Sequence, residues 1–247
     1  MWNVVVFNQK IILGGLIMTE GYFYILLIVS LGITALAQFL VKSRYAQYRQ
    51  VTNHSGVSGE QIARRILNQN GMQDVPVVPI DGELTDNYNP TKKTVFLSKD
   101  IYDGTTIAGI AVAAHECGHA IQHHTGYTFM RVRSGLVPVL NISSKVSYIL
   151  IAAGALLGAM RLFEVGVILE SVAVLFQLVT LPVEFDASRR GLQHLKEFGM
   201  FDGNEMVGCK KMLTAAALTY VGAALSAIVS LLRLVLMLNN SKNRERR

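Results

Sequence analysis

The chain has 247 residues, of which 51% are hydrophobic and only 16% charged, and its formal net charge is +6. A soluble domain carries about 25% charged residues, so the composition excludes an ordinary soluble globular protein and points to an integral membrane protein with a modest soluble portion. Nucleic-acid binding is not indicated by the basic balance, because Lys42, Arg44, Arg49, Lys210, Lys211 and the run from Lys242 to Arg247 flank apolar blocks, as cytoplasmic Lys and Arg do.

Residues 1–21 read as an N-terminal extension, moderately apolar and with Lys10, that would suit an amphipathic segment. Met18 would serve as an ordinary start for a membrane protein, and no small-residue cleavage pattern marks a signal peptide. Residues 22–41 are apolar or small apart from Gln38, long enough for one transmembrane helix. The basic residues that follow put its C-terminal end in the cytoplasm.

Residues 42–142 read as a cytosolic region. Ser58 with Gln61 three residues later forms a capping box before the Ile62, Ala63, Ile66, Leu67 stripe, and Gly71 closes that helix. Val75 to Ile80 predicts a short strand that Pro76 and Pro79 confine to an edge. Asp81-Gly82 and the stretch from Asp86 to Pro90 are turn material. Thr94 to Ser98 is a second strand that leads into a helix. Its edge could take an extended peptide by strand addition or pair within its own sheet, and both readings stand.

Residues 143–182 read as a transmembrane hairpin made of Val146 to Met160 and Leu162 to Pro182, with its tip around Arg161 to Glu164. The first block is long enough only if it begins near Ile142. Glu170 lies inside the second block, either as a functional group or as an interfacial residue that snorkels, the preferred reading. Residues 183–211 contain a polar helix expected from Pro182 to Phe198 and stopped by Gly199. Residues 212–238 form a C-terminal transmembrane segment, long for one span and short for two, and 239–247 a basic tail. A single last span would carry that tail outside, whereas its charge favours the inside. A broken or re-entrant hairpin is the other solution.

The chemistry-bearing motif is Ala114-His115-Glu116-Cys117-Gly118-His119-Ala120, within an apolar helical run from Ile107 to Gln122. Residues four apart share a helical face, so His115 and His119 can grip one metal ion. Glu116, beside the first ligand, can take a proton from a water at the metal. Two incidental histidines on a helix are the bland alternative. Cys117 and Cys209 read as free thiols, with Cys117 a small core residue.

A catalytic zinc needs a third protein ligand. The position six residues after His119 is Thr125, so a third motif histidine is absent there. His123 and His124 read as solvent-facing residues at the helix end. Glu184 is the preferred third ligand, although a carboxylate favoured by the macrodipole at a helix start explains it equally well. Asp186 or Ser188 could hydrogen-bond a ligating histidine. His194 and Tyr220 are candidate donors to a developing oxyanion, and structural roles are the alternative for each.

HECGHAIQH, LPVEFDASRRG and AAALTYVGAAL together resemble the YugP-type neutral zinc metallopeptidases of bacterial membranes, over about Tyr22 to Leu238. That family is distantly similar to the HtpX and CAAX-prenyl membrane proteases. The resemblance implies Zn2+ on His115, His119 and Glu184, with Glu116 as catalytic base. Where the HtpX-like pattern has an Asp four residues after the third ligand, this chain has Ser188. The expected fold is mainly α: a multi-span helical membrane protein with a zincin-like metallopeptidase core and a small β element before the metal-motif helix. The expected activity is zinc metalloendopeptidase hydrolysis of peptide or protein substrates, membrane or misfolded proteins among them, at the cytoplasmic side of a bacterial plasma membrane. The rival reading is a non-hydrolytic membrane scaffold or chaperone-like protein with a retained zinc site. No nucleic-acid partner is expected. A transporter would call for more intramembrane polar groups and an internal repeat than the sequence holds.

Overall fold

The computed structural model describes the backbone of residues 2–245, with side chains placed from 24 to 242. The amphipathic character expected of 1–21 depends on side chains outside the described residues. Among the described residues there are seven helices and three strands: α1 (Trp2–Tyr48), α2 (Gly59–Gln69), β1 (Val77–Ile80), β2 (Asn87–Asn89), β3 (Thr94–Ser98), α3 (Lys99–Tyr102), α4 (Ile107–His124), α5 (Thr128–Leu157), α6 (Met160–Phe198) and α7 (Gly203–Glu245). Four of the helices are long and apolar enough to cross a membrane: Tyr24–Tyr48 within α1, α5, α6 and Gly203–Lys242 within α7. The protein is a mainly α membrane protein, as its composition requires.

The chain divides into two compact units. One comprises Met1–Leu36, Ile142–Val174 and Gly222–Arg247. Its outward surface is apolar, with Ile28, Ile142, Ile149 and Leu156 all exposed, the pattern expected of a lipid-facing surface. Small residues set its internal packing. A Cβ on Gly154 of α5 would lie 2.5 Å from the backbone N and 2.9 Å from the Cα of Phe163 on α6, so those two helices meet backbone to backbone. The Thr34 and Ser226 hydroxyls hydrogen-bond between α1 and α7 at 2.9 Å. Half-buried Glu170 accepts a hydrogen bond from the buried Ser147 hydroxyl (2.9 Å). Lys242 pairs with Glu164 at 2.9 Å.

The other unit comprises Ala37–Asn141 and Leu175–Val221 and is built around α4. Every residue of α4 is buried except His115, His123 and His124. A helix that is apolar nearly all round belongs at the centre of a packed unit. The stripe of α2, Ile62, Ala63, Ile66 and Leu67, packs into the same core as Val95 and Leu97 of β3. The capping box at the start of α2 is formed: Gln61 N–H donates to Ser58 Oγ, and Ser58 N–H donates to the Gln61 side chain. The sheet order is β1-β3-β2, with β1 parallel and β2 antiparallel to β3. The proline-bearing β1 therefore lies at an edge, because proline lacks the N–H that a central strand must donate.

Several boundaries differ from the sequence reading. Asn87–Asn89, expected as turn, forms β2, since Asp86 accepts from the Ser98 N–H (2.7 Å) and ties this stretch alongside β3. Helix α5 begins at Thr128 rather than near Ile142 and runs through Pro138. The α5–α6 turn falls at Gly158, which has φ +68°, and not at Arg161 to Glu164. Helix α6 continues through Pro182 without a break. A single missing N–H is tolerated inside a long apolar helix when neighbouring groups satisfy the backbone. The last apolar block is one unbroken helix, not a hairpin.

Candidate metal centre and catalytic cavity

Thr106 caps α4, accepting the Gly109 N–H at 3.1 Å. Two turns further on, His115 and His119 sit one above the other with ring centroids 4.7 Å apart. Helix α6 crosses this face at very close range. A Cβ on Gly118 would lie 2.8 Å from the Ala187 carbonyl carbon, and one on Gly191 would lie 2.6 Å from the Ala114 oxygen. Only glycine allows backbones to approach so closely, and the approach delivers Glu184 to the histidines. Its Oε2 lies 3.3 Å from His115 Nε2 and 3.5 Å from His119 Nε2. Because α6 runs through Pro182, Glu184 lies in a helix interior, which removes the alternative that it merely serves a helix N-terminus.

These three ligand atoms lie within 4.8 Å of one another. Glu184 is almost fully buried, and its Oε2 faces the two imidazole nitrogens without making a well-formed hydrogen bond to either. A buried carboxylate oxygen without a partner is costly unless a cation meets it. Two imidazoles and a carboxylate form a donor set that suits zinc and leaves a fourth position for water. The residues therefore fit the ion that the motif implies.

Glu116 is buried and its Oε2 accepts the Tyr88 N–H of β2 at 2.9 Å. Burial is the chief cause that pushes its carboxyl up to about 7; the Tyr88 N–H and His115 oppose the shift and Glu184 adds to it. With His115 and Tyr220, Glu116 lines a cavity of about 120 Å³ whose remaining wall is Val41, Leu84, Asp86, Val112, Met212, Leu213 and Ala216. Its walls are mostly apolar and it has room for water beside Glu116. Burial also raises the Asp86 carboxyl, against the lowering effect of its hydrogen bonds from Ser98.

Each histidine has a partner at Nδ1. Ser188 Oγ lies 3.0 Å from His115 Nδ1, and Gln122 Oε1 lies 3.1 Å from His119 Nδ1. Gln122 Nε2 donates to Val183 O (2.7 Å) and to Asp186 Oδ2 (3.0 Å). Asp186 is in turn held by Arg189 and by Arg190 Nε. Of the candidates read from sequence, His115, Glu116, His119, Glu184, Ser188 and Tyr220 come together, and Asp186 reaches His119 only through Gln122. His194 is not among them: it contacts Asn70 (3.2 Å) and Glu197 (3.4 Å). His123, expected in solvent, is half-buried against the Tyr88 hydroxyl at 2.8 Å. Cys117 is fully buried, and burial pushes its thiol far up, consistent with a core residue.

Gln122, Tyr88 and Asp86 were missed by the sequence reading. Gln122 left one trace, its place three residues after His119 on the same helical face. A second group, His54, Asp202 and Glu205, also clusters. There Glu205 accepts the N–H groups of His54 (2.7 Å) and Asp202 (2.8 Å), and Asp202 accepts the Glu205 N–H (2.8 Å), so the carboxylates cap the start of α7.

The chain is similar to known proteins over most of its length. The family described as "Putative neutral zinc metallopeptidase" matches residues 23–239. The "Putative membrane protease YugP" of Bacillus subtilis (strain 168) is 47% identical over 221 residues, covering 90% of this chain and 98% of that protein. No solved structure matches the chain.

Proposed function

From the chain's membership of the family described as "Putative neutral zinc metallopeptidase", we propose that it is a membrane-bound zinc endopeptidase whose general base is Glu116. The observation that carries the reading is the convergence of His115 Nε2, His119 Nε2 and the buried Glu184 Oε2 beside a buried Glu116. His115, His119 and Glu184 would hold the ion. Zinc supplies Lewis acidity, which lowers the pKa of water and polarises the scissile carbonyl. Glu116 takes the proton of the attacking water and returns it to the leaving amine. Burial raises the Glu116 carboxyl, a direction that favours taking up a proton. The Tyr88 N–H holds the Glu116 carboxylate in place. Apolar walls around the cavity limit the water that competes for these groups. Tyr220, in the same cavity, is the candidate donor to the developing oxyanion.

The substrates are peptides or proteins, and a site whose third ligand, Glu184, comes from a helix long and apolar enough to cross a membrane favours membrane or misfolded proteins. Lys42, Arg44 and Arg49 at the end of the first span favour a site facing the cytoplasm of a bacterial plasma membrane. The test compares wild type with Glu116→Gln in detergent, reading bound zinc and casein cleavage. One zinc in each, with cleavage by wild type alone, is the expected result. Full cleavage by Glu116→Gln would remove Glu116 as the base, and zinc in neither protein would remove the whole reading.

A further inference from the structure

Gln122 is fully buried in α4 and touches neither Glu116 nor Glu184 through any hydrogen bond among the described residues. Its surroundings leave its amide a single orientation. Val183 O and the Asp186 carboxylate only accept hydrogen bonds, so the group 2.7 Å and 3.0 Å from them must be the amide nitrogen. The amide oxygen then faces His119 Nδ1 at 3.1 Å. An amide oxygen also only accepts, so Nδ1 must carry the proton. The unprotonated Nε2 is then the ring atom that lies 3.5 Å from Glu184 Oε2. The far end of the chain is firm as well, since Arg190 Nε holds the same Asp186 Oδ2 at 2.6 Å.

We propose that Gln122, backed by Asp186 and Arg190, is a positioning residue that fixes His119 in the Nδ1–H tautomer and aims its Nε2 lone pair at the metal. The relay ties the motif helix to α6 at the level of Val183 and Asp186, beside the third ligand. It therefore sets the direction of one ligand and the spacing of another with a single side chain. His115 has a different kind of support. The Ser188 hydroxyl can donate or accept, so it fixes no tautomer. The two histidines are thus unequal, with His119 the pre-set ligand and His115 the adaptable one.

This inference rests on the zinc-peptidase reading, and the test separates the two. Wild type, Gln122→Met and Asp186→Ala are purified as full chains in detergent. Zinc affinity is measured by competition with a chromophoric chelator, and the melting temperature is measured with zinc removed. Cobalt-loaded samples report ligand geometry through their visible spectrum. Removing a partner of a metal-bound histidine costs ~10–100-fold in affinity, and that loss is expected for Gln122→Met, with an altered cobalt spectrum. Asp186→Ala is expected to shift in the same direction by a smaller factor, because Gln122 keeps its bond to Val183 O. A folded Gln122→Met with a lower metal-free melting temperature but unchanged zinc affinity would show a merely structural role and overturn the proposal. If Gln122→Met does not fold, Asp186→Ala decides, and unchanged affinity there overturns it. Wild type that binds no zinc would instead sink the proposed function, and this inference with it.

Discussion

Replacing Gly118 by Ala tests how the metal centre is assembled. The added Cβ would lie 2.8 Å from the Ala187 carbonyl carbon and 2.9 Å from its Cα. Carbon atoms in contact prefer ~3.5–4.0 Å, so α4 and α6 would have to separate by about 1 Å. Backbone atoms on both sides leave no flexible side chain to yield. Zinc ligand distances tolerate only about ±0.2 Å, so a 1 Å gap withdraws Glu184 from His115 and His119. Zinc affinity should fall at least ~100-fold, at or beyond the upper range for losing a supporting partner. Overpacking should also cost about 1–3 kcal/mol of stability. The assay is chelator competition together with thermal melting in detergent. Gly135→Ala is the control: nothing lies within 4 Å of its Cβ position on α5, and helix propensity should leave it neutral or stabilised by up to ~1 kcal/mol. A folded Gly118→Ala protein with wild-type zinc affinity would refute the argument that glycine contacts set the ligand spacing.

Other outcomes follow from the same geometry. Ser188→Ala removes the Nδ1 partner of His115 and should weaken zinc binding toward the lower end of the ~10–100-fold range, read by the same competition. The exposed His54 ring is raised above its ordinary value, chiefly by its hydrogen bond to Glu205. A raised histidine stabilises the fold fully below its unfolded value of ~6.5, and that stabilisation is lost as pH rises through the folded value. The melting-temperature gap between wild type and His54→Gln should therefore be wider at acidic than at alkaline pH, and an equal gap would refute the coupling. Cys117 and Cys209 are both fully buried and free. A polar maleimide should label neither until the protein is denatured, whereas rapid native labelling would contradict the packing around α4 and α7.

Local periodicity made much of the protein legible in its sequence. Helical spacing alone puts His115 and His119 on one face, and Ser58 with Gln61 forms its capping box within a single turn. The apolar blocks mark the four helices able to cross a membrane because that property needs only length and composition. What the tertiary structure decided depends on neighbours far away in the chain. β2 is three residues long and exists because β3 and Asp86 hold it in register. Pro182 looked like a helix start but lies in the interior of α6, since propensity is overridden when long-range packing supports the helix on both sides. Glu184 was preferred for its place beside an apolar span and by resemblance, yet it is the contacts between α4 and α6, at Gly118, Gly191 and Gln122, that bring it within ligand range of histidines far earlier in the chain. Gln122 carried no signal beyond its spacing, because its partners Val183 and Asp186 belong to another helix. Contacts within a turn are written in adjacent residues. Contacts between helices depend on which faces the packing brings together, and no local pattern encodes that choice.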